Sequence, residues 1–503
     1  MCVRHQGREP RDGQRPTSRT PRRRRYRYCA VMGRIVVRGG TVVSPSGRWR
    51  ADVLIDDERI VAVTAPDAAV LPAAGEVAEV DATGCYVIPG GVDVHTHMQL
   101  PMGDLTSSDT FASGTAAAAW GGVTTIVDFA SQQVGERVLD GLEARHAEAE
   151  GQCVIDYAFH QTIGGVDDDS LAAIPTLIER EGISSIKLFM AYPGTYYSDD
   201  GQILRAMQVA GEAGMLTMMH AENGIAIDVL RAQAMAAGDT DAVHHGLTRP
   251  PELEAEATHR AVQLAKVAGN VPLYIVHLSA SQALEEVARA RHAGRNVLAE
   301  TCPQYLYLSL EDHLARPGVE GAAYICSTPL RSRHDHHQKD LWAGLRRDDL
   351  AVVATDHCPF CLVDGKDRIS EGFTAVPNGI GGVEHRMELI YQGVVTGEIT
   401  LERWVETCCT APARVFGMHP RKGEIVPGAD ADIVVFDPRR TTTLGRAGKH
   451  HMAMDHSPWE GITVDGAIDT VISRGEVIVD ANGLHGRPGR GRFLRRDRPA
   501  VLR

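Results

Sequence analysis

Four histidines and one aspartate stand where apolar, strand-like runs of the chain end. They are His95 and His97 in Val92-Asp-Val-His95-Thr-His97, His220 in Met218-Met-His220, His277 in Tyr274-Ile-Val-His277, and Asp356 in Val353-Ala-Thr-Asp356. Residues i and i+2 of an extended strand share a face, so His95 and His97 can bind one ion together. Imidazole and carboxylate groups are good zinc ligands. A single such histidine is most often a packed core residue, but five ligand-type residues at strand ends indicate a metal centre that activates water.

Lys187 ends another strand-like run, Ser185-Ile-Lys187-Leu-Phe, and in its ordinary form it does not suit a metal centre. A protonated ammonium has no lone pair and repels a divalent cation, so an unmodified lysine here would be a surface or ion-pair residue. If carbon dioxide adds to the amine, the product is a carbamate with two oxygens that can bridge two ions. Two divalent ions with this carbamate, Asp356 and a bridging hydroxide keep a small positive charge, so such a centre remains a Lewis acid.

The elements that must position these residues are predicted from the alternation of apolar strand-like runs with helical stretches such as 252–268 and 281–293. This alternation indicates βα units and a parallel sheet. Eight candidate strands are centred near residues 90, 126, 157, 187, 217, 275, 298 and 353. Eight parallel strands close into a (β/α)8 TIM-like barrel, which carries its reactive groups where strands end. A doubly wound open sheet is the alternative, but no G-x-G-x-x-G follows the first strand.

The two ends of the chain predict a smaller β unit beside the barrel. Short alternating runs occur at 33–40, 51–56 and 59–63, and again at 428–436 and 470–479. The predicted α/β architecture is therefore a β-sandwich from residues 32–84 and 421–480, around a metal-dependent barrel at 85–420. The basic, poorly apolar composition of residues 1–31 predicts a disordered tail. We interpret this tail as translated sequence upstream of the natural start. Residues 481–503 predict a basic C-terminal tail that serves subunit contacts or is disordered.

Charge and cysteine content narrow the class of protein. The net charge of the 503-residue chain is -13, and residues 1–31 carry ten arginines against two acids, so the remainder is strongly acidic. An acidic body argues against nucleic acid as a partner. No apolar run approaches the roughly 18 residues that span a bilayer, and the N-terminus lacks the apolar h-region of a secretory signal, so a cytoplasmic location is expected. The ten cysteines lack the spacing of a disulfide framework and are expected to be reduced thiols. Cys358-Pro-Phe-Cys361 is expected to line the wall of a site rather than to bind metal.

In this order, His95-Thr-His97, Lys187, His220, His277 and Asp356 resemble the ligand set of the amidohydrolase superfamily. Four longer motifs are similar to those of the dihydropyrimidinase and D-hydantoinase family. The resemblance extends from about Met32 to about Gly475. The motifs are Lys187-Leu-Phe-Met-Ala-Tyr192-Pro-Gly-Thr-Tyr-Tyr-Ser-Asp-Asp, Cys326-Ser327-Thr-Pro-Leu-Arg331, Thr355-Asp356-His-Cys-Pro-Phe and Val376-Pro-Asn378-Gly-Ile-Gly-Gly.

The resemblance implies a role for each of these positions. One zinc would be bound by His95, His97, carbamylated Lys187 and Asp356. The other would be bound by Lys187, His220 and His277, and other divalent ions are possible. Asp356 would also shuttle a proton, Tyr192 would donate to the substrate oxygen, and the backbone at Ser327 and Asn378 would hold the ring amide.

The implied reaction is hydrolysis of 5,6-dihydropyrimidines or 5-substituted hydantoins to N-carbamoyl amino acids by a metal-bridging hydroxide, in a homotetramer. Allantoinase or dihydroorotase activity is the alternative, for which Arg331 is a possible contact to an anionic group. A non-catalytic scaffold is a further alternative, although scaffold relatives lose metal ligands and this chain keeps all six candidates.

The chain departs from the family pattern at two positions, and several other histidines look unrelated to the site. The family often has Ser-Pro-Pro-Leu-Arg and Ile-Pro-Gly, where this chain has Ser327-Thr-Pro-Leu-Arg and Ile-Gly381-Gly. The glycine at 381 is expected to loosen a substrate-contacting loop. By themselves Tyr192, Ser327 and Asn378 could be ordinary loop residues. His244-His245 and His334-Asp-His336-His337 are predicted to be solvated loops, and His357 is predicted to face away from the site.

Overall fold

The structure, a computed structural model, describes residues 33–66 and 77–499. The chain forms two units, Met1–Met32 and Gly33–Arg503, and every described residue lies in the second. The predicted basic tail at 1–31 therefore lies outside the described residues. Within the described ranges, no helix is both long enough and apolar enough to cross a membrane.

The described residues contain strands from both chain ends and from the centre. The N-terminal strands are β1 (Arg34–Ser44), β2 (Gly47–Asp56), β3 (Arg59–Thr64), β4 (Val77–Asp81) and β5 (Tyr86–Pro89). The central strands are β6 (Gly91–Thr96), β7 (Pro101–Met102), β8 (Leu105–Thr106), β9 (Val123–Ser131), β10 (Asp156–Thr162), β11 (Ser185–Phe189), β12 (Leu216–His220), β13 (Leu273–Ile275), β14 (Val297–Thr301) and β15 (Val352–Val353). The C-terminal strands are β16 (Ile433–Thr443), β17 (Thr463–Ser473), β18 (Glu476–Asp480) and β19 (Gly483–Leu484).

Helices occupy most of the connections between the central strands, and the last three helices follow β15. The helices are α1 (Phe111–Trp120), α2 (Val138–Ala149), α3 (Asp168–Thr176), α4 (Asp200–Glu212), α5 (Gly224–Ala237), α6 (Val243–Leu247), α7 (Pro251–Val267), α8 (Ser281–His292), α9 (Pro303–Tyr307), α10 (Gly318–Ala322), α11 (His337–Arg346), α12 (Arg386–Val395), α13 (Leu401–Val405) and α14 (Ala411–Val415). Local sequence explains several starts. Thr110 and Asp199 close capping boxes at α1 and α4, where the side chain accepts a hydrogen bond from a free backbone N–H.

Eight of the ten central strands form a parallel sheet in the order β15-β14-β13-β12-β11-β10-β9-β6, and β7 and β8 pair with each other in a separate antiparallel sheet. A bridge between Thr96 and His357 brings the two edge strands of the parallel sheet together, and His97 N donates to His357 O at 2.8 Å. All but one of the residues in these eight strands are buried, as expected for a parallel sheet covered on both faces. The eight predicted strands and the TIM-like barrel are therefore confirmed.

The strands of the two chain ends form one separate sheet in the order β19-β18-β17-β16-β5-β1-β2-β3, with β4 beside β1. The pairing of β16 with β5, where Val434 lies opposite Ile88, joins the two ends of the chain. Branched apolar residues such as Val37, Val53 and Val435 form its core. The predicted sheet from both chain ends is confirmed, and its hydrogen bonds run through one continuous sheet. The boundaries at residues 84/85 and 420/421 stay a prediction.

A buried ion cluster lies where the end sheet meets the amino ends of the barrel strands. Lys422 Nζ contacts carboxylate oxygens of Asp156, Asp430 and Asp432 at 2.7, 3.0 and 2.7 Å. Arg474 adds a further contact to Asp156 at 3.0 Å. Charges buried here are matched by opposite charges, which is the condition under which burial is tolerated.

The described part of the C-terminal segment, 481–499, contacts the rest of the same chain, with β19 in the end sheet and the residues around Leu494 against the barrel. Tyr157 in β10 donates from its N–H to Arg492 O at 3.1 Å and accepts from Leu494 N at 2.7 Å. Leu494 is buried in the barrel core, and Arg496 donates to Ser185 Oγ at 3.1 Å. The sequence predicted a basic tail that serves subunit contacts or is disordered. The contacts within this chain join residues more than 300 positions apart, which no local pattern reveals.

Candidate active site

The strand ends bring the six candidate ligands to one place at the carboxyl face of the barrel. β6 supplies His95 and leads directly to His97, β11 supplies Lys187 and β12 ends at His220, while His277 and Asp356 follow β13 and β15 closely. All except His97 and Asp356 are buried, and these two are partly buried. Reactive groups gathered at this face are typical of barrel enzymes.

Asp356 lies at the centre of one half of the site. Its Oδ1 atom is 3.1 Å from Nε2 of His95 and 3.1 Å from Nε2 of His97. Lys187 Nζ is also 3.1 Å from His95 Nε2. Donor atoms of His95, His277 and Asp356 all lie within 4.8 Å of one another. A carboxylate and imidazole nitrogens that converge in this way fit a divalent ion.

His220 and His277 form the other half of the site. His220 Nδ1 and His277 Nε2 face each other at 3.0 Å. Burial lowers the pKa of His277 well below its usual value, and the nearby His220 adds to that effect. A neutral imidazole offers a lone pair to a metal. The two facing nitrogens therefore suit a second cation close to the first.

Carboxylates behind the histidines hold the rings in place. His220 Nε2 contacts Glu222 Oε2 at 2.8 Å, and His95 Nδ1 contacts Glu300 Oε1. Glu300 also accepts from Tyr274 OH at 2.8 Å and from His277 N at 3.1 Å. Metal-binding histidines commonly direct their second ring nitrogen to a carboxylate, which fixes the tautomer. The sequence analysis missed Glu222 and Glu300. Glu222 stands two residues after His220, and Glu300 lies in the buried strand β14, so each had a signal in the sequence.

Lys187 is buried between aromatic rings. Its Nζ atom lies 4.4 Å from the centre of the Phe129 ring and 4.9 Å from that of Phe189. Burial lowers the pKa of Lys187 to about 8, although the charges of Asp356 and Glu300 act in the opposite direction. A substantial fraction of the amine is therefore neutral near physiological pH, and only a neutral amine can add to carbon dioxide.

The acidity of the other site groups matches ligand and donor roles. Burial raises the pKa of Asp356, but charges and hydrogen bonds from His95 and His97 outweigh it and hold this pKa well below its usual value. Burial lowers the pKa of His97 to about 4. Burial raises the pKa of Tyr192 to about 12, so the phenol keeps its proton and remains a hydrogen-bond donor.

Three of these residues have a strained backbone. Tyr192, His277 and Asp356 have φ angles of 63°, 38° and 52°. Side chains other than glycine rarely adopt this left-handed region, and such residues cluster at functional sites. The turn at Tyr192 is closed by hydrogen bonds from Thr195 N and Tyr196 N to its carbonyl at 3.0 and 3.1 Å. The strain therefore coincides with residues that the sequence had already selected.

Tyr192, Ser327 and Asn378 lie on loops around the ligand cluster. The ring centres of Tyr192 and His220 are 5.2 Å apart. Ser327 is buried and Asn378 is partly buried. The loops that carry them are joined, because Gly379 N donates to Ile325 O at 3.0 Å. The structure thus brings the three predicted substrate residues to the same end of the barrel as the ligands.

Gly381 is more firmly held than the sequence predicted. Its carbonyl accepts from Trp459 Nε1 at 3.0 Å. A Cβ atom on Gly381 would lie 2.6 Å from Met454 Sδ and 3.2 Å from Met452 Sδ, so methionine side chains occupy the adjacent space. The expected loosening of this loop is therefore not what the packing indicates.

Several residues that the sequence set apart have structural contacts. His357 faces away from the site, as predicted, and its Nε2 contacts Asp109 Oδ2 at 3.1 Å. The prediction of solvated loops was wrong for His245 and His337, which are buried. His245 Nε2 donates to Cys326 O at 2.8 Å, and His337 Nδ1 accepts from Ser281 N at 3.0 Å. The sequence could not reveal these long-range acceptors and donors.

Arg331 and the two cysteines of Cys358-Pro-Phe-Cys361 have no reactive surroundings. Arg331 is buried and pairs with Glu254 at 2.7 Å, so its guanidinium is already occupied. Both thiols are free. Burial raises the pKa of Cys358 and of Cys361 above the usual range, which keeps them as poorly nucleophilic thiols.

A second group of possible ligands consists of Glu384, His385 and His450. Both carboxylate oxygens of Glu384 already accept hydrogen bonds from His451, from its ring Nδ1 at 2.5 Å and its backbone N at 2.6 Å. His450 Nε2 donates to Met454 O at 3.1 Å. We therefore assign the metal chemistry to the first group, whose atoms converge at the carboxyl face.

Comparison with known proteins gives consistent results. Residues 86–478 match the family described as "Amidohydrolase family". The chain is 54% identical over 466 residues to a D-hydantoinase of Streptomyces coelicolor, covering 93% of this chain and 98% of the relative. It is 44% identical to a D-hydantoinase of Geobacillus stearothermophilus, covering 93% and 97%. A crystal structure of a dihydropyrimidinase from Brevibacillus agri superposes with a TM-score of 0.90 at 41% identity, covering 93% and 100%.

Proposed function

The chain belongs to the amidohydrolase family and is a cyclic amide hydrolase, and we propose that it opens 5-monosubstituted hydantoins and 5,6-dihydropyrimidines to N-carbamoyl amino acids. The observation that carries this proposal is the convergence of Asp356 Oδ1 on two histidine nitrogens at 3.1 Å. Among hydantoins we propose a preference for the D configuration, because the relatives at 54% and 44% identity are named D-hydantoinases.

Metal dependence is a property of the family, and we propose two zinc ions as the metals of this chain. His95, His97, Lys187 and Asp356 would hold one ion, and Lys187, His220 and His277 the other. When bound, the ions would polarise the ring carbonyl and lower the pKa of water in the site. The short distances between donor atoms, 3.1 Å around Asp356 and 3.0 Å between His220 and His277, support this ligand set.

We propose that Lys187 works as its carbamate. The neutral amine nitrogen forms a bond to the carbon of carbon dioxide, and one N–H proton passes to water, which leaves a carboxylate on Nζ. The lowered pKa of the amine, to about 8, supports this addition. The product replaces a cation that repels metals with an anion whose two oxygens can bridge them.

The remaining chemistry belongs to side chains of the site. The Asp356 carboxylate accepts a proton from the attacking water and passes it to the ring nitrogen that leaves, as a general base and then a general acid. Tyr192 donates its phenolic proton in a hydrogen bond to the carbonyl oxygen as negative charge develops there. Backbone groups at Ser327 and Asn378 bind the ring amide and fix its orientation.

Two alternatives are disfavoured by particular contacts. A dihydroorotase or an allantoinase must receive an extra anionic or ureido group, and Arg331, the residue considered for this role, is paired with Glu254 at 2.7 Å. A non-catalytic scaffold needs no intact ligand set, whereas all six candidates are present and converge. A homotetramer in the cytoplasm stays a proposal from the family resemblance, and light scattering after gel filtration tests the assembly.

The test is hydrolysis of dihydrouracil and of D- and L-5-substituted hydantoins by zinc-loaded protein, followed as N-carbamoyl product. Lys187→Ala is prepared alongside, with Lys339→Ala as a matched exposed control. We expect turnover by the wild type and the control but not by Lys187→Ala, which should also bind less zinc. Absence of wild-type turnover at two zinc ions per chain would contradict the proposal, and less than one ion per chain would favour a scaffold.

A further inference from the structure

Lys366 is a buried lysine outside the ligand cluster. It begins a short 3-10 helix, Lys366–Glu371, and its side chain is fully buried. Its Nζ atom donates to three backbone carbonyl oxygens, those of Ile325 at 2.8 Å, Pro377 at 2.8 Å and Gly379 at 2.9 Å. A lysine ammonium has three donors, so all three are used on backbone acceptors.

The three acceptors belong to the two loops proposed to hold the substrate ring. Ile325 lies two residues before Ser327, and Pro377 and Gly379 flank Asn378 on both sides. Lys366 is thus bonded to both loops at once, next to the residues that would contact the ring amide. Gly379 N also donates to Ile325 O at 3.0 Å, so Ile325 O accepts from both.

This placement is costly, which argues for a task beyond packing. Burying an ammonium among neutral acceptors costs more free energy than burying an apolar side chain of similar size. Burial lowers the pKa of Lys366 to about 7, although the facing thiols of Cys326 and Cys358 act in the opposite direction. At the far end of the barrel Lys422 is buried among three aspartates instead. At Lys366 the ammonium has no carboxylate partner among its described contacts, and the hydrogen bonds that fix the two loops offset the cost.

The neighbouring anchor of these loops has a narrower reach. His245 donates to Cys326 O at 2.8 Å and so holds the loop of Ser327. Its other ring nitrogen, Nδ1, accepts from Arg249 Nη1 at 3.2 Å. These contacts position the Ser327 loop but not the Asn378 loop. Lys366, in contrast, bonds to both loops.

We propose that Lys366 is a positioning residue for substrate recognition, whose ammonium sets the spacing between the Ser327 and Asn378 loops so that both contact one ring. This inference rests on the proposed function, because it assigns the two loops to the cyclic substrate. The described contacts of the Lys366 ammonium are with three backbone carbonyls and the Phe360 ring, and none of them is with a candidate metal ligand. Its removal should therefore weaken substrate binding more than it slows the chemical step.

The test compares zinc-loaded wild type with Lys366→Met, which keeps the side-chain length and removes the donors. For dihydrouracil and a D-5-substituted hydantoin, we expect KM to rise roughly ten- to a hundred-fold while kcat changes less than about threefold. Zinc content should stay that of the wild type. Lys339→Met, at an exposed lysine, should leave KM unchanged and serves as the matched control.

The outcomes separate this inference from the proposed function. No turnover by wild-type protein would overturn the proposed function and this inference with it. An active wild type and an unchanged KM in Lys366→Met would overturn this inference alone. A lower melting temperature with an unchanged KM would also overturn it, because a merely structural lysine would give that result.

If Lys366→Met does not fold, the pH dependence of KM in wild type decides. The charged or titratable groups that face Lys366 are Cys326, Cys358, His245 and His456, and the Phe360 ring lies 5.9 Å away. Burial raises the pKa of both thiols and lowers that of both histidines, which keeps them neutral. A neutral amine donates two hydrogen bonds instead of three, so KM for dihydrouracil should rise from about pH 6 to about pH 8. The rise should be absent in Lys366→Gln, and a flat wild-type KM would overturn the inference.

Discussion

Two buried lysines lie at opposite ends of the barrel and have opposite surroundings. Burial lowers the pKa of Lys422, but the charges of three surrounding aspartates outweigh it and raise the pKa above its usual value; they are Asp156, Asp430 and Asp432. At the carboxyl ends of the strands, Lys187 lies against two phenylalanine rings, and burial lowers its pKa to about 8. The same side chain is a permanent cation in one place and partly a free amine in the other.

The different surroundings of the two lysines correspond to the different roles of the two ends of a (β/α)8 barrel. The end that carries the strand carboxyl termini carries the chemistry, and the other end contributes to stability. Counter-charges make Lys422 a structural cation that joins β10 to the end sheet. Their scarcity around Lys187 leaves an amine that can react with carbon dioxide. Replacing Lys187 or Lys422 by methionine removes the charge and keeps the side-chain length. The same type of substitution therefore tests both ends of the barrel.

Lys187→Met should have the largest effect on activity. We expect kcat/KM to fall by roughly a thousand-fold or more, because the proposed bridge between the two ions is lost. The unfolding free energy of the metal-free protein should change by less than about 1 kcal/mol, because burial of this ammonium is itself unfavourable. Assays with dihydrouracil and urea unfolding of chelator-treated protein measure the two quantities. If Lys187→Met keeps a tenth of the wild-type activity, Lys187 is not a ligand of the metal centre.

Lys422→Met should have the opposite profile. Removing the lysine leaves buried aspartates without their main counter-charge, which should cost about 3–5 kcal/mol of unfolding free energy. Activity per folded molecule should stay within about twofold of the wild type, since the cluster lies at the other end of the barrel. Lys266→Met, at an exposed lysine, is the control and should cost less than about 0.5 kcal/mol. A large fall in kcat with unchanged stability would break the comparison.

Tyr192→Phe should sharpen the description of the reactive end. Loss of one donor to a developing oxyanion lowers kcat by roughly a hundred-fold, while KM changes only a few-fold. The neighbouring Tyr196→Phe is a matched control, because its hydroxyl accepts from Gln133 Nε2 at 3.3 Å instead. Steady-state kinetics on a hydantoin measure both. Equal losses in the two variants would point to loop packing rather than to hydrogen bonding.

Acidification should give the smallest of these effects, at the structural end. Burial raises the pKa of Asp156, but Lys422 and Arg474 outweigh it and hold this pKa below its usual value. The stability that this carboxylate contributes is therefore present above its unfolded pKa of about 3.9 and is lost as the pH falls through the lower, folded pKa. Urea unfolding at a series of acidic pH values should show a smaller loss for Asp156→Asn than for wild type. Equal losses would exclude Asp156 as a source of the acid sensitivity.

Much of the barrel and the ligand set could be predicted because the relevant patterns are local. Apolar runs of strand length mark β6 and β9 to β15, and the residue that ends each run lies at the carboxyl face whatever the loops do. His95 and His97 share a face because strand geometry repeats every two residues. Lys187 stood out because its charge conflicted with its neighbours in the pattern. The order of these residues was enough to suggest the family.

Only the tertiary structure decided the contacts that join distant parts of the chain. Glu300 reaches His95 across 205 positions, and Arg496 reaches Ser185 across 311. Lys366 donates to backbone carbonyls of two loops. Every residue has a backbone carbonyl, so the sequence does not show which ones accept from this lysine. The sequence determined which residues stand at strand ends, because pleat and period are properties of a short segment. The fold determined which buried groups find partners, because that depends on closure of the barrel and on the packing of both chain ends.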